Sequence, residues 1–323
     1  MMKKLAALLI VIGTFCTSFN KYPSYAKPML RTIVIDAGHG GILHGTRGLI
    51  SKEEDVTLDV ALKLGEAVKK EFPDIKIVYT RTEAGTVGNA TTLKEDLHNR
   101  ALIANQAKGD LFISIHCDAT QKPAGGYYDK RVIGHKKKLA YVGRGKRRRK
   151  KMINAPIYES YWVKNMVIGA TTYIWKAQKT EDKTNAINQK DEDGGGDLED
   201  STVEFDTQSP EARIRAQLYV QKYFKKSATL AALIEDEFEK AGRKTLGVKQ
   251  RDRGIQVLQA TGMPSVLVEI GYLTNKEEEE YLNSDKGQEE VVENIVSALS
   301  LYKQQLEGGK PAVNSAVDSV KQN

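Results

Sequence analysis

Only two cysteines occur in the 323 residues, Cys16 and Cys117. The first falls in an amino-terminal stretch that reads as a cleaved signal, which leaves one thiol in the mature chain and excludes an intrachain disulfide framework. A large ordinary core must hold the fold instead. Long apolar runs are also missing. Residues 5–15 form an apolar stretch too short to span a bilayer, and nothing later is longer, so no transmembrane anchor is expected. No internal repeat is present.

Lys3 and Lys4 precede that apolar stretch, and Ser24-Tyr25-Ala26 places small residues where a signal peptidase cuts. Residues 1–26 therefore read as a signal peptide and the mature chain as exported and soluble. Phe15 before Cys16 fits lipid attachment poorly. The formal charge is +7, and removal of Lys3, Lys4 and Lys21 leaves about +4. The balance says little, but its distribution is uneven. Residues 130–151 are dense in Lys and Arg, ending in Lys146-Arg147-Arg148-Arg149-Lys150-Lys151. No stacking aromatics interleave that final run, and export argues against nucleic acid as a partner.

Beyond residue 31, apolar strands alternate with amphipathic helices. Thr32-Ile33-Val34-Ile35 reads as a buried strand ending at Asp36 and a glycine cluster. A helix is predicted over 55–72, stopped by Pro73, then a strand over 75–79, a helix over 93–107 and a strand over 111–115. Ser265-Val266-Leu267-Val268 reads as a further strand, and 291–306 as a closing amphipathic helix. This is the pattern of an α/β sheet with helices on its faces. Between about Gln121 and Pro210 the alternation breaks into a basic part, an aromatic stretch (Tyr158, Tyr161, Trp162, Tyr173, Trp175) that reads as a candidate helix, and an acidic, glycine-containing run at 191–197. It is taken as an insertion within one domain. A long helix is expected over 211–241, and a disordered tail over 307–323.

Three strand ends carry residues suited to chemistry. The first leads into Asp36-Ala37-Gly38-His39-Gly40-Gly41, the third into Ser114-Ile115-His116-Cys117-Asp118, and the last into Glu269-Ile270-Gly271-Tyr272. In such sheets functional residues gather at the carboxyl ends of strands. A lone His116 is as well explained as a core histidine; His39 also suits a turn, but the three glycines around it let the backbone approach a ligand closely, which favours a ligand there. Two histidines and a buried-strand glutamate converging on one crevice instead suit a zinc site with an open position. A third ligand is then needed, and Lys52-Glu53-Glu54-Asp55, opening the first predicted helix, offers carboxylates. Cys117 is expected to pack as a small apolar group.

With these motifs in place, the chain resembles the zinc-dependent N-acetylmuramoyl-L-alanine amidases over 31–302, the insertion apart. The resemblance rests on Ile33-Val34-Ile35-Asp36-Ala37-Gly38-His39-Gly40-Gly41 and Lys52-Glu53-Glu54-Asp55-Val56. It continues through Arg100-Ala101-Leu102-Ile103-Ala104-Asn105, Ser114-Ile115-His116, and Met263-Pro264-Ser265-Val266-Leu267-Val268-Glu269-Ile270-Gly271-Tyr272-Leu273-Thr274-Asn275.

The resemblance implies one catalytic domain over 27–306 with a mixed, mostly parallel twisted sheet flanked by helices on both faces. It implies zinc held by His39, Glu53 and His116, with Glu269 as the acid/base. Glu54 remains the alternative ligand at the doubled glutamate. Asp36 and Asp118 are expected to orient the ligand histidines, although Asp36 equally suits a cap on the glycine turn. Arg100 is expected to tie its helix to the sheet or to pair with a carboxylate. Peptidoglycan is the implied substrate, cut between N-acetylmuramic acid and L-alanine. A peptidase acting within the peptide stem and a catalytically silent wall-binding regulator are the alternatives. A monomer acting in the periplasm is expected. The family precedent of an inserted blocking helix suggests a protein activator acting on 121–210, and contact of the basic run with anionic polymers or lipid headgroups is the competing reading.

Overall fold

The computed structural model describes residues 30–176, 183, 210–251 and 255–308. The expected signal peptide, the acidic run and all of the tail beyond Gly308 lie outside the described residues. Six strands form the central sheet: β1 (Thr32–Ala37), β2 (Lys76–Tyr79), β3 (Leu111–Asp118), β6 (Ala170–Trp175), β7 (Thr245–Arg251) and β8 (Ser265–Tyr272). Their order is β2-β1-β3-β8-β6-β7. Every pair is parallel except β6 against β8, which makes the sheet mixed and mostly parallel. Strands β4 (Gly126–Val142) and β5 (Arg149–Lys164) pair only with each other, as a long antiparallel hairpin.

The described helices are α1 (Glu53–Glu71), α2 (Leu93–Gln106), α3 (Pro210–Lys240), α4 (Gln256–Ala260), α5 (Lys276–Leu282) and α6 (Asp285–Leu306). Alternation along the strands sends successive side chains to opposite faces. Ile33 and Ile35 of β1, Ile113 and Ile115 of β3 and Val266 and Val268 of β8 pack with Leu64 of α1, Leu233 of α3 and Ile295 of α6. On the other face Val34, Phe112 and Leu267 pack with Ala104 of α2, Leu258 of α4 and Trp175. Burial on both faces explains why these strands read as unbroken apolar runs.

Helix α1 begins two residues earlier than its apolar period indicates. Glu53, Glu54 and Asp55 fill its first turn, where the exposed N–H groups of a helix favour negative charge. It ends at Glu71, just ahead of Phe72-Pro73, since the residue before proline avoids helical backbone.

The aromatic stretch read as a helix is strand instead: Tyr158, Tyr161 and Trp162 lie on β5, and Tyr173 and Trp175 on β6. Thr171-Thr172-Tyr173-Ile174-Trp175 is β-branched and aromatic throughout, which favours a pleated surface. Consequently 121–210 is not one excursion. The hairpin leaves the domain, and β6 rejoins its sheet between β8 and β7. Strand β7, which the sequence reading passed over, is a partly exposed edge strand carrying Lys249 and Arg251. Such charge blunts an edge and hides it from hydrophobic periodicity.

Candidate metal centre

Strand β1 runs out into the glycine loop, where the chain turns sharply. His39 sits at φ +62°, and Gly40 and Gly41 are also left-handed. Gly38 is required for a different reason. A Cβ there would lie 2.4 Å from Cε1 of His116, so its absence lets the imidazole rest against the β1 backbone. His116 stands near the end of β3, beside β1, on the sheet face opposite Cys117. Cys117 is buried in the core, as expected, and burial pushes its thiol well up.

Glu53 opens α1 and reaches both rings. Its Oε1 lies 3.3 Å from Nε2 of His39 and 3.1 Å from Nδ1 of His116. The backbone N–H groups of Cys117 and Thr46 donate to its two oxygens at 3.0 and 2.8 Å. One donor atom from each of the three residues falls within 4.8 Å of the others. Burial alone would raise the Glu53 carboxyl, but the hydrogen bonds and charge of His116 and His39 outweigh it and hold the group far below the usual range. His39 is moved the other way: burial opposes its protonation, and Glu53 overrides that. The structure turns Glu54 out of the cluster, toward Nζ of Lys52 at 3.1 Å.

Nδ1 of His39 donates to the Leu43 carbonyl at 3.1 Å. That bond holds the ring's orientation and makes Nε2 the nitrogen turned toward Glu53, the one a metal would take from the neutral ring. The group orienting this ring is thus a backbone carbonyl rather than an aspartate. Asp36 is occupied elsewhere. It accepts from Thr80 (2.6 Å), Ser114 (2.5 Å) and Arg100 (2.7 Å). Burial would raise its carboxyl, yet Arg100 and the two hydroxyls bring it below the ordinary value. The Asp118 carboxylate accepts from the N–H of Ala119 and hydrogen-bonds Tyr272.

Two arginines hold the loop that presents His39. Arg100 on α2 is paired with Asp36 and Asp96, and donates to the carbonyls of Ala37 (2.6 Å) and His39 (2.5 Å). Arg81, which sequence reasoning missed, donates to the carbonyls of Ala37, Gly38 and Glu54. It stands just past the carboxyl end of β2, the kind of position that had flagged the other residues. Glu279 was also missed. Buried on α5, it accepts from the N–H groups of Leu49, Ile50 and Ser51 and so sets the turn that delivers Glu53.

Glu269 is the Cα partner of His116 on the adjacent strand, with its side chain on the same sheet face. It is 6% exposed, and its Oε2 is buried without a hydrogen-bond partner. Burial pushes its pKa well up, and the charges of Glu53 and Asp118 add to the rise. Arg251, 3.6 Å away, opposes them. His44, His98 and His135 are all exposed and stand apart from this cluster.

A family profile described as N-acetylmuramoyl-L-alanine amidase (Amidase_3) matches residues 33–300. The chain belongs to this amidase family. N-acetylmuramoyl-L-alanine amidase AmiC of Escherichia coli is 24% identical over 273 residues, 84% of this chain and 52% of AmiC. The germination-specific amidase of Bacillus subtilis is 30% identical over 141 residues, 39% of this chain and 59% of that protein. The matched region thus spans only a little over half the length of these curated amidases. Among solved structures, the CwlD amidase of Clostridioides difficile in complex with the GerS lipoprotein superposes with a TM-score of 0.52 at 22% identity, over 84% of this chain and 98% of that one. A second amidase, from Clostridium difficile 630, gives 0.51 at 20% identity, over 84% and 96%. These likenesses establish that the sheet and its flanking helices follow the amidase fold.

Proposed function

We propose that this amidase-family chain hydrolyses the amide between N-acetylmuramic acid and L-alanine in peptidoglycan, using zinc held by His39, Glu53 and His116. The observation that carries the reading is the half-buried His-Glu-His cluster with, on the neighbouring strand, a buried carboxyl whose Oε2 has no hydrogen-bond partner. The donor set fits zinc. Zinc with bonds of about 2.0 Å takes donors roughly 3.3 Å apart, and Glu53 lies at 3.3 and 3.1 Å from the two histidine nitrogens, with all three donors within 4.8 Å of one another. Two imidazoles and a carboxylate leave a fourth position open, as in catalytic rather than structural sites.

Zinc bound there supplies a Lewis acid that polarises the scissile carbonyl and makes a water acidic near neutral pH. The chain's own residues do the rest. The Leu43 carbonyl keeps Nε2 of His39 free to bind, and the paired arginines fix the height of the loop. Glu269 is the group that takes the proton from water and returns it to the departing amine of L-alanine. Its environment suits that exchange: burial, Glu53 and Asp118 favour the acid, while Arg251 favours the carboxylate. Asp36 serves this arrangement through Arg100 rather than through a histidine. The role inferred for the exported enzyme is wall remodelling, septum splitting or turnover, outside the cytoplasm and most simply in the periplasm.

Mass spectrometry of purified sacculi treated with residues 27–323 and zinc tests the reading, with Glu269→Gln alongside. Stem peptides with new L-alanine amino termini, absent with the variant, are expected. Cuts inside the stem would instead identify a peptidase, and intact sacculi would overturn the enzymatic reading for the chain as it stands.

A further inference from the structure

The β4–β5 hairpin has no part in the chemistry above. Its strands pair along their whole length and, among the described residues, make only marginal contact with other elements. A two-stranded ribbon alone in water is at best marginally stable, and this one extends roughly 50 Å at about 3.3 Å per residue. It is rooted beside the candidate metal centre. The Gly125 N–H donates to the Thr274 carbonyl just beyond β8, and Asn165 bonds Thr120 just beyond β3.

Charge is concentrated there. Residues 126–164 hold 13 Lys and Arg against Asp129 and Glu159, a net +11 in a chain of net +7, so the remainder carries −4. No carboxylate occurs between Asp129 and Glu159. Among the described residues, no ion pair engages 136–151.

The second feature is an apolar stripe on one face. Tyr128 stands opposite Trp162, Val132 opposite Tyr158 and Leu139 opposite Met152, all between 51% and 73% exposed. On β4 the first two are even-numbered and Leu139 is odd, so strict alternation would put them on opposite faces. The irregularity between Val132 and Gly134 adds one residue to β4 and restores them to the same side. Lys130, Lys137 and Lys150 share that face with them. A bulge that keeps exposed apolar groups aligned among cations points to a partner that is anionic and apolar at once.

We propose that this hairpin face docks on the headgroup layer of an anionic phospholipid bilayer. Cations meet the negative surface, while Trp162, the tyrosines and the aliphatic side chains enter the boundary below it. A soluble polyanion satisfies the charges but leaves Val132, Leu139 and Met152 in water, so the lipid surface accounts for more of the face. Because the hairpin is rooted at the carboxyl ends of β3 and β8, docking would place the His39, Glu53 and His116 cluster close to the membrane. The inference stands apart from the chemistry of that cluster.

The test is sedimentation of residues 27–323 with vesicles of phosphatidylglycerol and phosphatidylethanolamine, with neutral phosphatidylcholine vesicles in parallel. Tryptophan emission is recorded at the same time. The chain has two tryptophans, and Trp175 is fully buried, so a spectral shift reports on Trp162. Expected are salt-sensitive binding to anionic vesicles only and a blue shift. Replacing Lys146, Arg147, Arg148 and Arg149 by Ser should weaken partition about a thousandfold, and Trp162→Ser about tenfold. Both variants should keep the parent's circular dichroism and zinc content, so failure at the lipid surface is distinguishable from failure of the catalytic reading. Absence of binding to anionic vesicles overturns the proposal. So does binding without a blue shift that soluble dextran sulfate fully competes away, which would assign the face to a polyanion. A blue shift produced only by an acidic protein partner, with vesicles inert, would likewise overturn it in favour of a protein activator.

Discussion

Replacement of Gly38 by Ala tests whether His116 is held where it must be. The added Cβ would meet Cε1, Nε2 and Nδ1 of His116 at 2.4, 2.5 and 2.7 Å. Carbon atoms in contact prefer about 3.5 Å, so the ring must retreat by roughly 1 Å or the loop must shift by as much. The loop resists, because Arg81, Arg100 and Thr57 all bond the carbonyls of 37–39. The ring therefore moves, and Nδ1 leaves Glu53. Overpacking of this kind costs about 1–3 kcal/mol of stability. Disturbed ligand orientation costs on the order of 10–100-fold in metal affinity, and a displacement near 1 Å costs about a hundredfold in rate. Competition for zinc with a coloured chelator, kcat/KM on muropeptide substrate, and thermal unfolding of the metal-free protein give three separate readings. Zinc affinity within twofold of the parent together with unchanged turnover would refute the argument that Gly38 is required by the imidazole.

Glu269→Gln should lower turnover by about 10²–10⁴ while zinc content stays at the parent level, and a matching loss of zinc would move Glu269 into the ligand set. The same variant has a signature in stability. The folded pKa of Glu269 is raised above its ordinary 4.5, so metal-free parent loses stability as pH rises beyond that value. Metal-free Glu269→Gln should therefore melt higher than parent at pH 7, with the gap closing below about pH 4, as pH-dependent calorimetry can read. Arg100→Met leaves Asp36 and Asp96 buried without their cation and should cost about 3–5 kcal/mol in urea unfolding at neutral pH. Because the folded pKa of Asp36 is depressed, that stabilisation is present above its unfolded pKa near 3.9 and fades in acid, so the parent–variant gap should narrow there. Glu53→Ala should abolish zinc retention on dialysis, whereas Glu54→Ala should leave it intact. The reverse pattern would reassign the ligand.

Most of the central sheet was legible in the sequence because its strands are buried on two faces. Ile33-Val34-Ile35, Leu111-Phe112-Ile113 and Val266-Leu267-Val268 have no solvated side, so composition alone marks them. Strands β6 and β7 were not legible, for physical reasons that differ. Strand β6 follows a run of aromatic residues with no clear period, and β7 is a charged edge. The candidate site divides in the same way. His39 follows the end of β1 among glycines, and His116 and Glu269 lie in the carboxyl-terminal halves of β3 and β8, each directly after an apolar run, and such places are visible locally. Arg81 and Glu279 act through backbone groups far from them in sequence, and an arginine or glutamate carries no local mark of that duty.

The sequence by itself determined the family, the α/β character and the residue types that meet at the crevice, since these follow from local periodicity and short ordered motifs. Only the tertiary structure shows which of Glu53 and Glu54 faces the two histidines. Adjacent residues on a helix point about 100° apart, and only the packing of α1 against β1 and β3 selects which carboxylate faces the histidines. Tertiary structure likewise decided that Asp36 serves Arg100 rather than a histidine, and that the basic segment is a hairpin whose strands, among the described residues, pair only with each other. Those outcomes depend on which distant groups pack together, and no local pattern records that.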